Sequence, residues 1–196
     1  MKIAIDIDDT LTQVDRVAVT ERYLEEKGLK FNLVNPDAHA LKELYDWPRE
    51  EFTRFMKSGG DKLFLTAPIR KGAKETIQKW KAAGHEIIFL TARISEWFSD
   101  SVGDSKRQLE ENNIPFDEVV ADVWEKGEYC REHGIEVLID DNFEICEKAQ
   151  QLGVKAVMFV DKHNLSHAKK IRYAGSNWEH IASSVEFILN PPRPRY

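Results

Sequence analysis

Three acids fall within four positions near the start of the chain, in Lys2-Ile3-Ala4-Ile5-Asp6-Ile7-Asp8-Asp9-Thr10-Leu11-Thr12. An apolar run leads straight into them. A buried strand can carry Ile3, Ala4 and Ile5 and present the carboxylates at its end. Side chains alternate along an extended segment, so Asp6 and Asp8 point the same way. A core does not tolerate their mutual repulsion unless something offsets it. A divalent cation is the simplest compensation, since hard cations prefer oxygen ligands. The chemistry suggested is that of a metal-supported carboxylate pair at the end of a first, central strand. An isolated Asp-x-Asp at such a place is more often a turn or a helix cap, so the pair gains weight only from what converges on it.

What must position that pair is a set of alternating strands and helices. Lys71 to Ala83 reads as an amphipathic helix with Ala73, Ile77 and Trp80 on one face, stopped by Gly84. Glu86 to Thr91 reads as a strand, Ser105 to Asn113 as a helix and Phe116 to Ala121 as a strand. Lys126 to His133 is a helix, Ile135 to Ile139 a strand ending in Asp140-Asp141-Asn142, and Phe143 to Leu152 a helix. Val154 to Val160 is a fifth strand and Trp178 to Leu189 a final helix. Strands alternating with helices at this spacing mean an α/β domain with a mainly parallel sheet and helices on both faces. In such sheets ligands bind outside the carboxyl ends of the strands. Asp6 and Asp8, Thr91, and Asp140 and Asp141 all sit at those ends, so three separate strands deliver oxygen ligands to one edge.

Between Asp15 and about Lys57 the apolar spacing is helical throughout. Val17, Val19, Tyr23 and Leu24 form one pattern, Ala38, Leu41 and Leu44 a second, and Pro48 opens a third with Phe52, Phe55 and Met56. A block of short helices between two core strands reads as an inserted cap over residues 15–67, leaving 1–14 and 68–196 as the core. The tail from Asn190 to Tyr196 reads as an extended or loose end.

The chain of 196 residues, 42% apolar and 32% charged, suits one domain with an insertion and can bury a core without staples. A net charge of −6 argues against a long nucleic acid as partner, because such binding rests on many Lys/Arg–phosphate contacts. Cys130 and Cys146 make no disulfide framework and no Cys-x-x-Cys metal site, and with no apolar export segment they read as reduced packing thiols in a cytoplasm. No apolar run approaches the ~20 residues a membrane helix needs. His163 and His167 lie four apart, but with no third ligand in evidence they read as a solvated loop or helix face.

Taken together, these residues resemble the haloacid-dehalogenase-like phosphohydrolases. Asp6-Ile7-Asp8-Asp9-Thr10 is similar to their first motif, Leu90-Thr91 to their second, Lys126 to the lysine of the third, and Asp140-Asp141 to the acidic pair of the fourth. The order is right and the match spans nearly the whole core. The helical cap and the Ile-Asp-Asp fourth motif most resemble the 5'(3')-deoxyribonucleotidase-like group. The resemblance implies a Rossmann-like core and a Mg²⁺-dependent phosphatase. Asp6 would be the nucleophile of an aspartyl-phosphate intermediate, and Asp8 the acid and base. The metal would see the Asp6 carboxylate, the Asp8 backbone carbonyl and a fourth-motif carboxylate, Asp141 ahead of Asp140. Thr91 and Lys126 would bind phosphate, with Lys106 the competitor for the lysine role. Arg93 either contacts substrate or forms a surface ion pair. Asp9 serves the turn into the cap.

The expected substrate is a small phosphomonoester, a nucleoside monophosphate first. A sugar phosphate or other metabolite, or phosphomutase chemistry, is the alternative, and a non-catalytic phospho-ligand binder a third reading, against which the presence of both Asp6 and Asp8 counts. The cap is rich in aromatics that can stack a nucleobase, and Trp47 and Phe52 are expected to face the substrate, though any single one more often builds the cap's own core. Oligomeric state is left open, a homodimer included.

Overall fold

The computed structural model describes residues 1–38 and 40–191. The last five positions, part of the tail expected to be an extended end, lie outside the described residues. Six strands form one all-parallel sheet: β1 (Lys2–Ile5), β2 (Glu86–Leu90), β3 (Glu118–Val120), β4 (Val137–Asp140), β5 (Lys155–Phe159) and β6 (Tyr173–Gly175), in the order β3-β2-β1-β4-β5-β6. The order reverses at β1, which therefore lies between β2 and β4 with a crevice at its carboxyl end.

Alternation along β1 divides the core. Ile3 and Ile5 pack with Ile77 and Trp80 of α4 (Ala73–Ala82), Leu109 of α5 (Ser101–Glu111) and Trp178, Ile181 and Val185 of α8 (Trp178–Leu189). Ala4 faces the other way, against Cys130 of α6 (Lys126–Glu132) and Phe143, Cys146 and Ala149 of α7 (Phe143–Gln151). The two cysteines are buried, free thiols within that packing. Several helices start on a side-chain cap. Asp100 accepts from Gly103 N, so α5 begins four residues before the apolar spacing alone suggests. Strand β6 is three residues long, too short to show a periodicity, and was not expected.

Between β1 and α4 the chain forms α1 (Arg16–Lys27), α2 (Arg49–Phe55) and α3 (Asp61–Leu65). These share a separate hydrophobic cluster with Leu24, Leu44, Trp47, Phe55 and Leu63 at its centre. The chain enters and leaves this segment side by side: Gln13 N donates to Pro68 O at 2.9 Å and Arg70 N to Leu11 O at 2.9 Å. The helix expected over Ala38–Leu44 is instead a single tight turn, Leu41–Glu43. Leu33 bridges Tyr45, and the Asp46 carboxylate takes both the backbone N and side-chain Nδ2 of Asn32 at 2.7 Å. Those contacts, with Val34 N and Asn35 N both donating to Leu44 O, turn the chain back just where a longer helix would run.

Candidate active site

The register of the sheet brings the acids together. Ile5 of β1 is level with Phe89 of β2 and Ile139 of β4, and Asp6 N still donates to Ile139 O at 2.9 Å. Asp6 is therefore level with Leu90 and Asp140, and Thr91 follows one residue further along the same edge. Asp6 and Asp8 are both extended (Asp8 φ −78°, ψ 123°), whereas Asp9 adopts φ 66° and turns the chain away. Asp9 is buried. Its carboxylate accepts from Val14 N at 3.3 Å and pairs with Arg16, so it ties the exit of β1 to the start of α1.

At the centre of the site stands Lys126, 2% exposed, with Nζ 2.5 Å from Asp6 Oδ1 and 2.7 Å from Asp140 Oδ2. Gly127 makes that approach feasible: a Cβ there would lie 3.1 Å from Ala149 Cα of α7. Lys106, the competitor, is exposed on α5 away from these groups. Asp140 also accepts from Asn142 N at 2.8 Å. Asn142, not an acid, caps α7 through Ile145 N, which leaves both Asp140 and Asp141 facing the site. Asp141 accepts from Thr10 Oγ1 at 3.1 Å and lies 3.1 Å from His163 Nε2. Its backbone carbonyl takes Asn164 Nδ2 at 2.6 Å. Thr91 is buried at the end of β2, its Oγ1 accepting from Arg93 N at 3.3 Å.

Electrostatically the site is short of positive charge. Burial, with Asp140, Asp141 and Asp8 adding to it, holds the Asp6 carboxyl well above the usual range, and Lys126 only partly opposes this. Burial likewise raises Asp140. Burial disfavours the Lys126 ammonium, but Asp140 and Asp6 outweigh it and keep the lysine charged. The hydrogen bond that His163 donates to the Asp141 carboxylate raises the histidine. Asp6, Asp140 and Asp141 each place a carboxylate oxygen within 4.8 Å of one another. Three carboxylates around one ammonium leave an excess of two negative charges in a buried, all-oxygen donor set, and a hard divalent cation fits that set.

The acids floor a cavity of about 620 Å³ whose walls include Phe64, Trp97, Phe98 and Trp124. Trp124 is 60% exposed, with its indole Nε1 donating to Asp122 at 3.1 Å. Trp47 and Phe52 do not line this cavity. Trp47 is buried among Tyr45, Phe52 and Phe55, its Nε1 on Lys42 O, and Phe52 packs edge-on to Trp97. The segment between β1 and α4 spends most of its aromatics on its own small core and gives the wall Phe64, and the other wall aromatics come from the loops after β2 and β3.

Arg93 is no surface ion pair. It is 3% exposed and its fork holds Asp8: Nε to Oδ2 at 2.9 Å and one terminal nitrogen to Oδ1 at 2.7 Å. The histidines are not a solvated face either. His163 sits on Asp141, and His167 stacks on Phe143 at 4.3 Å. The sequence gives no role to Asn164 or to Gln108 of α5, and it places Thr10 only within the first motif. For His163 and Asn164 a signal existed, since Asp161-Lys162-His163-Asn164 follows β5 at the same sheet edge as the acids.

An all-parallel sheet reversing at β1, acids at its carboxyl edge and a helical insertion directly after β1 define the haloacid-dehalogenase-like fold. Solved structures share it. A hydrolase of that superfamily from Ehrlichia chaffeensis aligns over 96% of this chain and 97% of its own, with a TM-score of 0.55 and 13% identity. A predicted phosphoglycolate phosphatase from Haemophilus somnus aligns over 93% and 96%, with a TM-score of 0.66 and 16% identity. No protein-family model matches the chain. A curated relative from Oceanobacillus iheyensis, provisionally named a nucleotidase, is 29% identical over 96 residues, which is 47% of this chain and about half (51%) of the relative.

Proposed function

We propose that the protein is a Mg²⁺-dependent phosphomonoester hydrolase that forms an aspartyl-phosphate on Asp6, with a nucleoside monophosphate as its substrate. The observation that carries this reading is the convergence of Asp6, Asp140, Asp141 and Lys126 on the floor of one cavity. Asp6, Asp140 and Asp141 would hold the ion, which neutralises and orients the phosphoryl oxygens. Asp6 attacks phosphorus, the P–O bond to the leaving group breaks, and Asp8 in its acid form gives its proton to the departing oxygen. Asp8 then removes a proton from water as that water attacks the aspartyl-phosphate, which regenerates Asp6 and frees inorganic phosphate. Lys126 and Thr91 stabilise the charge on the transferring group.

In this reading residues 15–67 are a cap over the core formed by 1–14 and 68–196, and they set what reaches the acids. The aromatic wall of Trp97, Phe98 and Trp124 suits a flat base, and the nucleotidase name of the relative matched over about half its length points the same way. The phosphoglycolate phosphatase of like fold favours the second reading, a small sugar or acid phosphate. Among the described residues no helix is long and apolar enough to cross a membrane, and buried free thiols fit a reducing cytoplasm.

Phosphate release from a panel of nucleoside and sugar monophosphates tests the proposal, with wild type, Asp6→Asn and Asp8→Asn, with Mg²⁺ and with EDTA. Turnover that persists in Asp6→Asn refutes the mechanism. A preference for sugar phosphates moves the assignment to the second reading.

A further inference from the structure

Arg93 and Gln108 account for the position of Asp8, and they connect it to the cap. Both Asp8 oxygens rest on the Arg93 fork. The fork is itself held from behind: one terminal nitrogen donates to Ser105 Oγ at 3.0 Å and the other to Gln108 Oε1 at 2.8 Å, and its face lies 5.3 Å from the Phe98 ring. Ser105 and Gln108 are three residues apart on α5, so one helix face presents both acceptors. The second half of the Gln108 amide is also committed. Nε2 donates to Phe64 O at 2.8 Å and Leu65 O at 3.0 Å, the carbonyls that end α3 where the cap returns to the core. Gln108 is 3% exposed. An amide offers one acceptor oxygen and two donor hydrogens, and each of those is used. A buried polar side chain with every position satisfied between an active-site arginine and the end of an insertion is a specifying contact, since any displacement strands several polar groups at once.

We infer that Gln108 is a positioning residue. It sets Arg93, and through Arg93 the Asp8 carboxylate, at the place where Asp8 accepts a proton from the attacking water, and it does so in register with the end of the cap. The inference rests on the proposed aspartyl-phosphate reading. It concerns the second half-reaction: water loses a proton to Asp8, its oxygen bonds phosphorus, and the P–O bond to Asp6 breaks. The first half-reaction on an aryl phosphate needs no proton donor, because the phenolate leaves unaided. Loss of Asp8 positioning therefore slows water attack while leaving acylphosphate formation on that substrate fast.

The test is rapid-mixing kinetics with p-nitrophenyl phosphate and Mg²⁺ on wild type, Gln108→Leu and Gln108→Glu. The leucine removes both links. The glutamate keeps the acceptor for Arg93 and removes the donors to Phe64 and Leu65. In Gln108→Leu the expected result is a burst of about one p-nitrophenolate per site followed by a steady state lowered at least about tenfold, as befits a misplaced general base. Gln108→Glu should show the same burst if the cap end is part of the device. A lowered rate without a burst in either variant, or an unchanged rate in both, overturns the inference. A burst in Gln108→Leu alone overturns the cap link and keeps the Arg93 link. If the wild-type chain hydrolyses no phosphoester, the proposed function falls, and this inference falls with it.

Discussion

Lys126→Met tests whether the acidic cluster is held together by one ammonium. The lysine is 2% exposed and bridges Asp6 at 2.5 Å and Asp140 at 2.7 Å, with Asp141 beside them. Methionine keeps most of the packing and removes the only cation in contact with Asp6 and Asp140 among the described residues. Breaking a buried pair by removing one partner costs about 3–5 kcal/mol, because the other charge is left uncompensated. Here two charges lose their partner, so the upper end of that range applies. For a domain of this size about 2–4 °C of Tm accompanies each kcal/mol, which gives a drop on the order of 10–20 °C in EDTA near neutral pH. Added Mg²⁺ should restore more Tm to Lys126→Met than to wild type, since the variant site is more negative by one charge and binding to the native state adds stability by mass action. Thermal unfolding by circular dichroism in EDTA and in a Mg²⁺ series measures both. A Tm in EDTA within about 2 °C of wild type would refute the reasoning, because it would mean that the carboxylates already share protons or solvent enough to do without the lysine.

The metal-free protein should lose stability as pH rises. Asp6 and Asp140 have folded pKa values above the unfolded 3.8, chiefly through burial, and His163 is raised by Asp141. Their contribution is fully present below the unfolded values and is lost as pH climbs through the folded ones; Tm in EDTA should fall as pH rises above the unfolded carboxylate and histidine values, and saturating Mg²⁺ should flatten that slope. Asn164→Ala strands Asp141 O and Asp161 N, two of the groups that Asn164 satisfies at 2.6 and 2.9 Å, and should cost about 2–6 kcal/mol at about 1–3 per unsatisfied group; urea unfolding reads it. Trp124→Ala should raise KM for a nucleoside monophosphate about tenfold, a typical loss of base stacking, while sparing a small alkyl phosphate; equal losses on both would assign the indole to packing.

Much of the site was legible because it follows from strand ends. Asp6, Thr91 and Asp140 are each the last or next residue of a buried apolar run, and a parallel sheet has one carboxyl edge to put them on. The helices of the core were legible from their spacing, with Trp178–Leu189 correct to the residue. Contacts that depend on how a helix is rotated were not. Nothing in the sequence says that Gln108 and Ser105 face Arg93, or that Arg93 turns inward; a lone arginine after a strand has no periodic signature. Trp47 and Phe52, expected to face the substrate, pack instead with the cluster that Leu24, Leu44, Phe55 and Leu63 build between β1 and α4, and which way a residue near a helix start turns is again a matter of helix rotation. The wall-forming Trp124 lies in a loop, where periodicity carries no information.

The three acids of the opening strand illustrate why type and spacing need backbone geometry to become roles. Asp8 and Asp9 are adjacent and chemically identical, yet Asp8 keeps ψ 123° and stays in the cavity, while Asp9 at φ 66° leaves it. A non-glycine residue in that left-handed conformation costs roughly 1–2 kcal/mol. Asp9 offsets the cost with the Val14 N hydrogen bond and the half-buried Arg16 pair, both of which fasten the start of the helical insertion. Arg70 fastens the same loop from the return side, donating to Asp9 O at 3.1 Å and Thr12 O at 3.0 Å. The turn that removes Asp9 from the chemistry is therefore the turn that anchors both ends of the insertion. The placement of Asp6 and Asp8 beneath it is a consequence of where that insertion begins.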